Sequence, residues 1–203
     1  MSKITRKSTE SVISVAVLPG PLAPDYRKKL DTPIMFLNHM LEQIAWRSGL
    51  NIEVSVKLDK FDLAHVIAED TGITFGKAVA EYLSENGGEG FGDGVGIIDE
   101  ARAFCAVSFE GRAFFALDYG YSHELRESVE GMMCEDLWVF LEGFCQGAAA
   151  ALHVNVQKGE NMHHIFESAF RAVGIALGRA LTVNPKRAGL TAGVAGAIKF
   201  TAG

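Results

Sequence analysis

The chain lacks any long apolar run. Nothing in its 203 residues approaches the roughly 20 consecutive apolar residues that span a bilayer, and the N-terminal stretch leads into no signal-peptide core, so a cytoplasmic protein away from membranes is expected. Positive charge is also short: 19 Lys and Arg against 25 Asp and Glu leave a formal charge of −6. With no basic stripe interleaved with aromatics, nucleic acid is not an expected partner. Cysteine is scarce and odd in number; Cys105, Cys134 and Cys145 sit in apolar segments without metal-ligand spacing and read as buried thiols of a reducing compartment. The one glycine-dense segment, 87–96, is followed by no Gly-Lys-Ser/Thr and opens no clean Gly-x-Gly-x-x-Gly helix. A phosphate cradle is therefore excluded, and the segment reads as a flexible connection between two halves.

With 48% apolar and 22% charged residues, the chain can bury a full core as one domain or two fused small ones. A strand is expected over 11–18, ended by the loop of Gly20, Pro21 and Pro24. Thr32 as cap and Pro33 in the first turn predict a helix to about Arg47, with Gly49 as its stop. Ile52, Val54, Val56 and Leu58 alternate as in a half-buried strand, and a helix carrying His65 should end before Asn86. The order then repeats. Segments 101–109 and 112–117 form an expected hairpin around Glu110 and Gly111, a helix covers about 135–150, 152–157 is a strand, and a last long helix carries His163. Strands, helix, strand and helix occurring twice predict an α+β fold of internally duplicated half-domains, each a small sheet with helices packed on one face. The halves are 1–88 and 97–187, with a tail over 188–203, together one compact unit.

The chemistry concentrates where the repeat does. In Asn161-Met162-His163-His164-Ile165-Phe166-Glu167, a helix puts His163 and Glu167 on one face and His164 on an adjacent one. The same pattern stands earlier as His65-Val66-Ile67-Ala68-Glu69, with valine in place of the second histidine. Imidazole nitrogen with carboxylate oxygen suits manganese, iron or zinc, whereas calcium and magnesium prefer oxygen alone. His39 and His153 lie beside these motifs, so five of the six histidines fall near candidate metal positions. His123 stands apart in a polar, solvated stretch.

The chain resembles the imidazoleglycerol-phosphate dehydratase family of histidine biosynthesis. The likeness rests on Phe36-Leu37-Asn38-His39-Met40-Leu41, the stretch from His65 to Gly72, Asp99-Glu100-Ala101, Gly111-Arg112, Leu152-His153-Val154, the stretch from Gly159 to Glu167, and an N-terminal segment with Arg6 and Glu10. The resemblance implies one or two manganese ions held at His39, His65, Glu69, His153, His163, His164 and Glu167, with Val66 where an eighth ligand belongs. It implies ions shared between neighbouring subunits of a homo-oligomer, 24 subunits assembled from trimers. The implied reaction removes water from a phosphorylated imidazole substrate, with metal as Lewis acid and a carboxylate moving protons at the leaving hydroxyl. Glu10 is the candidate for that carboxylate, and Glu167 joins the catalytic set from its place among the ligands. Arg112, Arg171 and Arg6 are the implied substrate contacts, since a phosphate ester needs several cationic donors. Other positions depart from the family: Gly90 replaces an arginine, 189–193 replaces a Ser/Lys tail motif that Lys199 lies too far along to supply, and Asn38 replaces a carboxylate that could orient His39. The alternative expectation is a divergent member that keeps a metal-binding shell but acts on another substrate or none.

Overall fold

The computed structural model describes residues 2–60, 62–120, 127–194, 196 and 201. His123 and Lys199 lie outside them. The first half runs β1 (Ser2–Lys7), β2 (Ser11–Leu18), β3 (Leu30–Asp31), α1 (Met35–Ser48), β4 (Asn51–Leu58) and α2 (Ala64–Asn86). The second runs β5 (Phe91–Ile98), β6 (Ala101–Ser108), β7 (Phe114–Tyr119), a small hairpin of β8 (Ser128–Val129) and β9 (Met132–Met133), α3 (Cys134–Ala148), β10 (Ala151–Lys158) and α4 (Met162–Ala180). The two four-stranded sheets have orders β1-β2-β4-β3 and β5-β6-β10-β7. Both have antiparallel neighbours except the last pair, β3 with β4 and β7 with β10, which is parallel. The duplicated α+β architecture is thus present strand for strand.

Period-two burial explains the central strands: Ile13, Val15 and Val17 of β2, and Leu152, Val154 and Val156 of β10, all face the core. In each half the second helix covers its own sheet, α2 on β1 and β2, α4 on β5 and β6. The first helix crosses over. α1 packs on α4 and α3 on α2, so neither half closes its core alone. Glycines permit this approach: a Cβ at Gly72 or Gly76 would come 2.1 Å from the carbonyl oxygens of Phe140 or Phe144, and one at Gly147 would come 1.9 Å from that of Ile73. This interlock carries His39, on α1 of the first half, to α4 of the second.

Three expectations need correction, and one strand is an addition. Segment 87–96 is not a flexible connection, because β5 occupies Phe91–Ile98 and the second half therefore begins before residue 97. Its glycines fall at every second position, and a Cβ at Gly92, Gly94 or Gly96 would lie 2.0, 2.7 or 1.9 Å from a carbonyl oxygen of α4. Those glycines let a helix lie directly on a strand. Segments 101–109 and 112–117 do not pair with each other; β10 inserts between β6 and β7, and the antiparallel hairpin partner of β6 is β5. The first helix starts at Met35 with Ile34 as its N-cap residue and no side-chain cap, since the Thr32 hydroxyl accepts from Ile34 N–H at 3.2 Å outside the helix. Finally, Ser2–Lys7 is a strand that the sequence does not announce. Among the described residues no helix is long and apolar enough to cross a membrane.

Candidate metal centre

The last helix begins with a built cap: Asn161 Oδ1 accepts the His163 N–H at 2.9 Å. That fixes His163 and His164 in the first turn and places Glu167, nearly buried, one turn further. Because α1 lies against α4, His39 meets this face. Its Nε2 is 3.5 Å from Glu167 Oε2, and His163 Nε2 is 3.4 Å from the same oxygen. The three donor atoms all lie within 4.8 Å of one another, the one such group of three among the described residues. The Phe36 ring, 5.1 Å from that of His163, forms an apolar wall.

Each of four histidines presents Nδ1 to a carboxylate. His39 faces Glu42 at 3.5 Å, His65 faces Asp136 at 3.0 Å, His163 faces Glu130 at 3.1 Å and His164 faces Glu100 at 2.8 Å. In the neutral tautomer that donates Nδ1–H to such a carboxylate, Nε2 is the nitrogen left to accept or to ligate. At the triad, two Nε2 atoms and a carboxylate oxygen point at one another. That arrangement repels unless a proton or a cation sits between them. Ligands about 2.1 Å from a metal and roughly 90–110° apart are separated by about 3.0–3.4 Å, close to the spacings found. Two imidazole nitrogens and one oxygen suit a divalent transition metal, and the Nδ1 carboxylates are the outer partners that such ligands carry.

Those partners come from separate elements. Glu42 stands one turn after His39 on α1, and helical spacing alone could have found it. Glu130 sits in the two-residue turn between β8 and β9 with φ of 48°, a left-handed conformation uncommon outside glycine, and aims at His163. The Glu100 carboxylate also accepts backbone N–H groups of Asn161 at 2.9 Å and Glu160 at 3.2 Å. The Asn161 N–H, then His164, hold it well below the usual carboxylate range, at about 2. No sequence spacing links Glu100, Glu130 or Asp136 to its histidine.

The remaining candidates fall elsewhere. His65 is half-exposed, with Glu69 one turn on along α2 and no third ligand beside them in this chain among the described residues. Around them lie Asp70, ion-paired to Arg6 at 2.7 Å, and Glu10 at the tip between β1 and β2. Burial pushes the Asp70 carboxyl up, Arg6 opposes this, and Glu69 and Glu10 add to it. Ser11 opens β2 as Ala101 opens β6, so Glu10 corresponds to Glu100. His153 is exposed on β10, its ring 5.7 Å from that of Phe114. Arg112 is exposed in the loop before β7, 3.4 Å from Glu110. Arg171 is not open to solvent like Arg112: it bonds Glu167, Gln43 and the Ile97 carbonyl. Asn38 clamps the Thr32 backbone through both its amide atoms, at 3.0 and 2.9 Å, leaving Glu42 to face His39.

Fold and site together define an internally duplicated α+β protein whose two halves jointly build a histidine–carboxylate centre fit for a divalent metal. Residues 32–177 match the family model described as imidazoleglycerol-phosphate dehydratase. The chain is 37% identical over 185 residues to the imidazoleglycerol-phosphate dehydratase of Archaeoglobus fulgidus, covering 91% of this chain and 93% of that one. It is 32% identical over 199 residues to that of Hahella chejuensis, covering 97% and 98%. The ligand-bound crystal structure of the Pyrococcus furiosus protein of that family superposes with a TM-score of 0.78 at 27% identity, over 96% of this chain and 100% of that one. The chain belongs to the imidazoleglycerol-phosphate dehydratase family.

Proposed function

We propose that this protein is a manganese-dependent hydro-lyase that dehydrates imidazoleglycerol phosphate in histidine biosynthesis. The observation that carries the metal reading is the convergence of two Nε2 atoms on Glu167 Oε2, in a chain whose curated relatives are named for this dehydration. Manganese, when bound, supplies Lewis-acid polarisation of the substrate's imidazole and stabilises the charge left as a carbon-bound proton departs.

The protein's own groups have distinct tasks. His39, His163 and Glu167 hold one ion, with Glu42 and Glu130 facing the Nδ1 atoms of the two histidines. His65 and Glu69 form a partial set that His164, with His153, completes from a neighbouring subunit of a homo-oligomer, the 24-subunit shell of trimers that the resemblance implies. Glu10, beside Glu69 and Asp70, protonates the leaving hydroxyl. Arg6 reaches the same region. Arg112, exposed and tied only at 3.4 Å to Glu110, is free to turn onto the phosphate. The setting is the cytoplasm.

Purified protein loaded with manganese is assayed for imidazoleacetol phosphate, with metal counted per subunit. Turnover is expected. A fully metallated protein without turnover contradicts the dehydratase reading and leaves a metal-binding shell.

A further inference from the structure

Arg112 stands beside a carboxylate that none of the roles above uses. Glu110 Oε2 accepts from a terminal nitrogen of Arg112 at 3.4 Å, and Glu110 Oε1 accepts the Ser108 hydroxyl at 3.3 Å. The glutamate stem is backed by the tail, since a Cβ at Gly193 would lie 3.0 Å from Glu110 Cγ. Arg187 keeps the tail there: it donates to the carboxylate and carbonyl of Glu89 and to the carbonyls of Thr191 and Ala192. Glu110 is therefore placed against Arg112 from two sides. Both side chains remain exposed, so the pair can open and adds little to stability.

Charge at this end of the second half is close to balanced. A cavity of about 420 Å³ is lined by Ser108, Glu110, Arg112, Phe114 and Ala151. Among the described residues Arg112 is the only cation in that lining, and Glu110 offsets it. Neighbouring groups cannot tip the balance. Arg187 is engaged by Glu89, and Gly90 has no room for a side chain, because a Cβ there would lie 2.1 Å from that of Ala192. A phosphate monoester carries roughly −1.5 to −2 charges at neutral pH and binds best where several cationic donors converge. Here it has to take Arg112 from Glu110 and then lie beside the carboxylate it displaced. We infer that Glu110 is a specificity-determining residue: by holding Arg112 and setting a negative charge beside it, Glu110 weakens the grip on a phosphate ester and favours substrates less charged at that end. This rests on the reading that Arg112 takes the substrate's phosphate.

Manganese-loaded wild type, Glu110→Gln and Glu110→Ser are assayed on imidazoleglycerol phosphate and on its dephosphorylated alcohol. Each is also titrated with inorganic phosphate by calorimetry, with Arg112→Gln marking which phosphate binding belongs to this site. Both Glu110 variants remove the charge. KM for the ester should fall roughly 5- to 10-fold, the size of one exposed charge facing a dianion, with the change in KM and not in kcat. Affinity for inorganic phosphate should rise by the same factor, and Arg112→Gln should lose most of it. Turnover of the alcohol should not respond, and added potassium chloride should shrink the difference between wild type and variants. A purely structural role would move both substrates alike and ignore salt. A KM and a phosphate affinity within about twofold of wild type in both variants, or an equal gain for the alcohol, overturns the inference. Phosphate binding that survives Arg112→Gln overturns the phosphate role of Arg112 and this inference with it. Wild type that turns over neither substrate overturns the dehydratase reading, and the phosphate titration then decides the inference by itself.

Discussion

The two halves share sheet order, helix order and the His-x-x-x-Glu spacing, yet among the described residues only the motif of the second meets a third ligand within one chain. The difference lies in what the crossed helix brings. α4 receives His39 from α1. Counting back from the left-handed C-caps Gly49 and Ala149, the corresponding residue that α3 offers α2 is Val139. The first half also carries Val66 where the second has His164. What α3 does supply is Asp136, bonded to His65. The site on α4 is thus complete within the chain once α1 supplies His39, while the site on α2 keeps an oriented histidine, a glutamate and a carboxylate-rich surround in need of outside ligands. Duplication copied the frame and divergence at a few helix positions divided the labour.

His163→Ala breaks this comparison most severely. It removes one of the three convergent donors and should weaken manganese binding at the triad at least about 100-fold, roughly 2.7 kcal/mol, by calorimetric titration. Gly96→Ala comes next. It sets a methyl 1.9 Å from the Ser168 carbonyl oxygen and should destabilise the fold by about 2 kcal/mol in urea unfolding, because backbone cannot yield as a side chain end can. Restoring the second half's pattern in the first, Val66→His, should raise manganese affinity at that site about tenfold, near 1.4 kcal/mol; no gain would mean that residue 66 faces no ion. The smallest effect is an absence of reaction. Burial pushes the Cys145 thiol up to about 12 and that of Cys105 higher still, so neither should react with Ellman's reagent in native protein, and both should do so once it is unfolded.

What the sequence made legible follows the strength of its periodic signals. β2, β4 and β10 alternate apolar and polar residues and stand where expected. The two-residue strands β3, β8 and β9 went unannounced, and the two long strands it concealed, β1 and β5, are equivalent edge strands. The first carries Lys3, Arg6 and Lys7, charges that suit an exposed edge, and the second carries Gly92, Gly94 and Gly96, which lack the side chains from which a strand is recognised. At the site, His163 and Glu167 were legible because helical spacing puts them on one face. Their convergence with His39 was not, since it depends on which helix crosses to which half. Nor were Glu100, Glu130 and Asp136, brought to their histidines only by turns and by the α2–α3 contact. Nor was it legible that Arg171, an expected substrate contact, also bonds Gln43, the Ile97 carbonyl and Glu167.

Anomalous diffraction at the manganese edge, from a crystal grown with the metal, tests the central claim most directly. An ion bonded at once to Nε2 of His39, Nε2 of His163 and Oε2 of Glu167 is the predicted result. Manganese peaks found only elsewhere, with those three atoms bonded solely to protein or water, would contradict it.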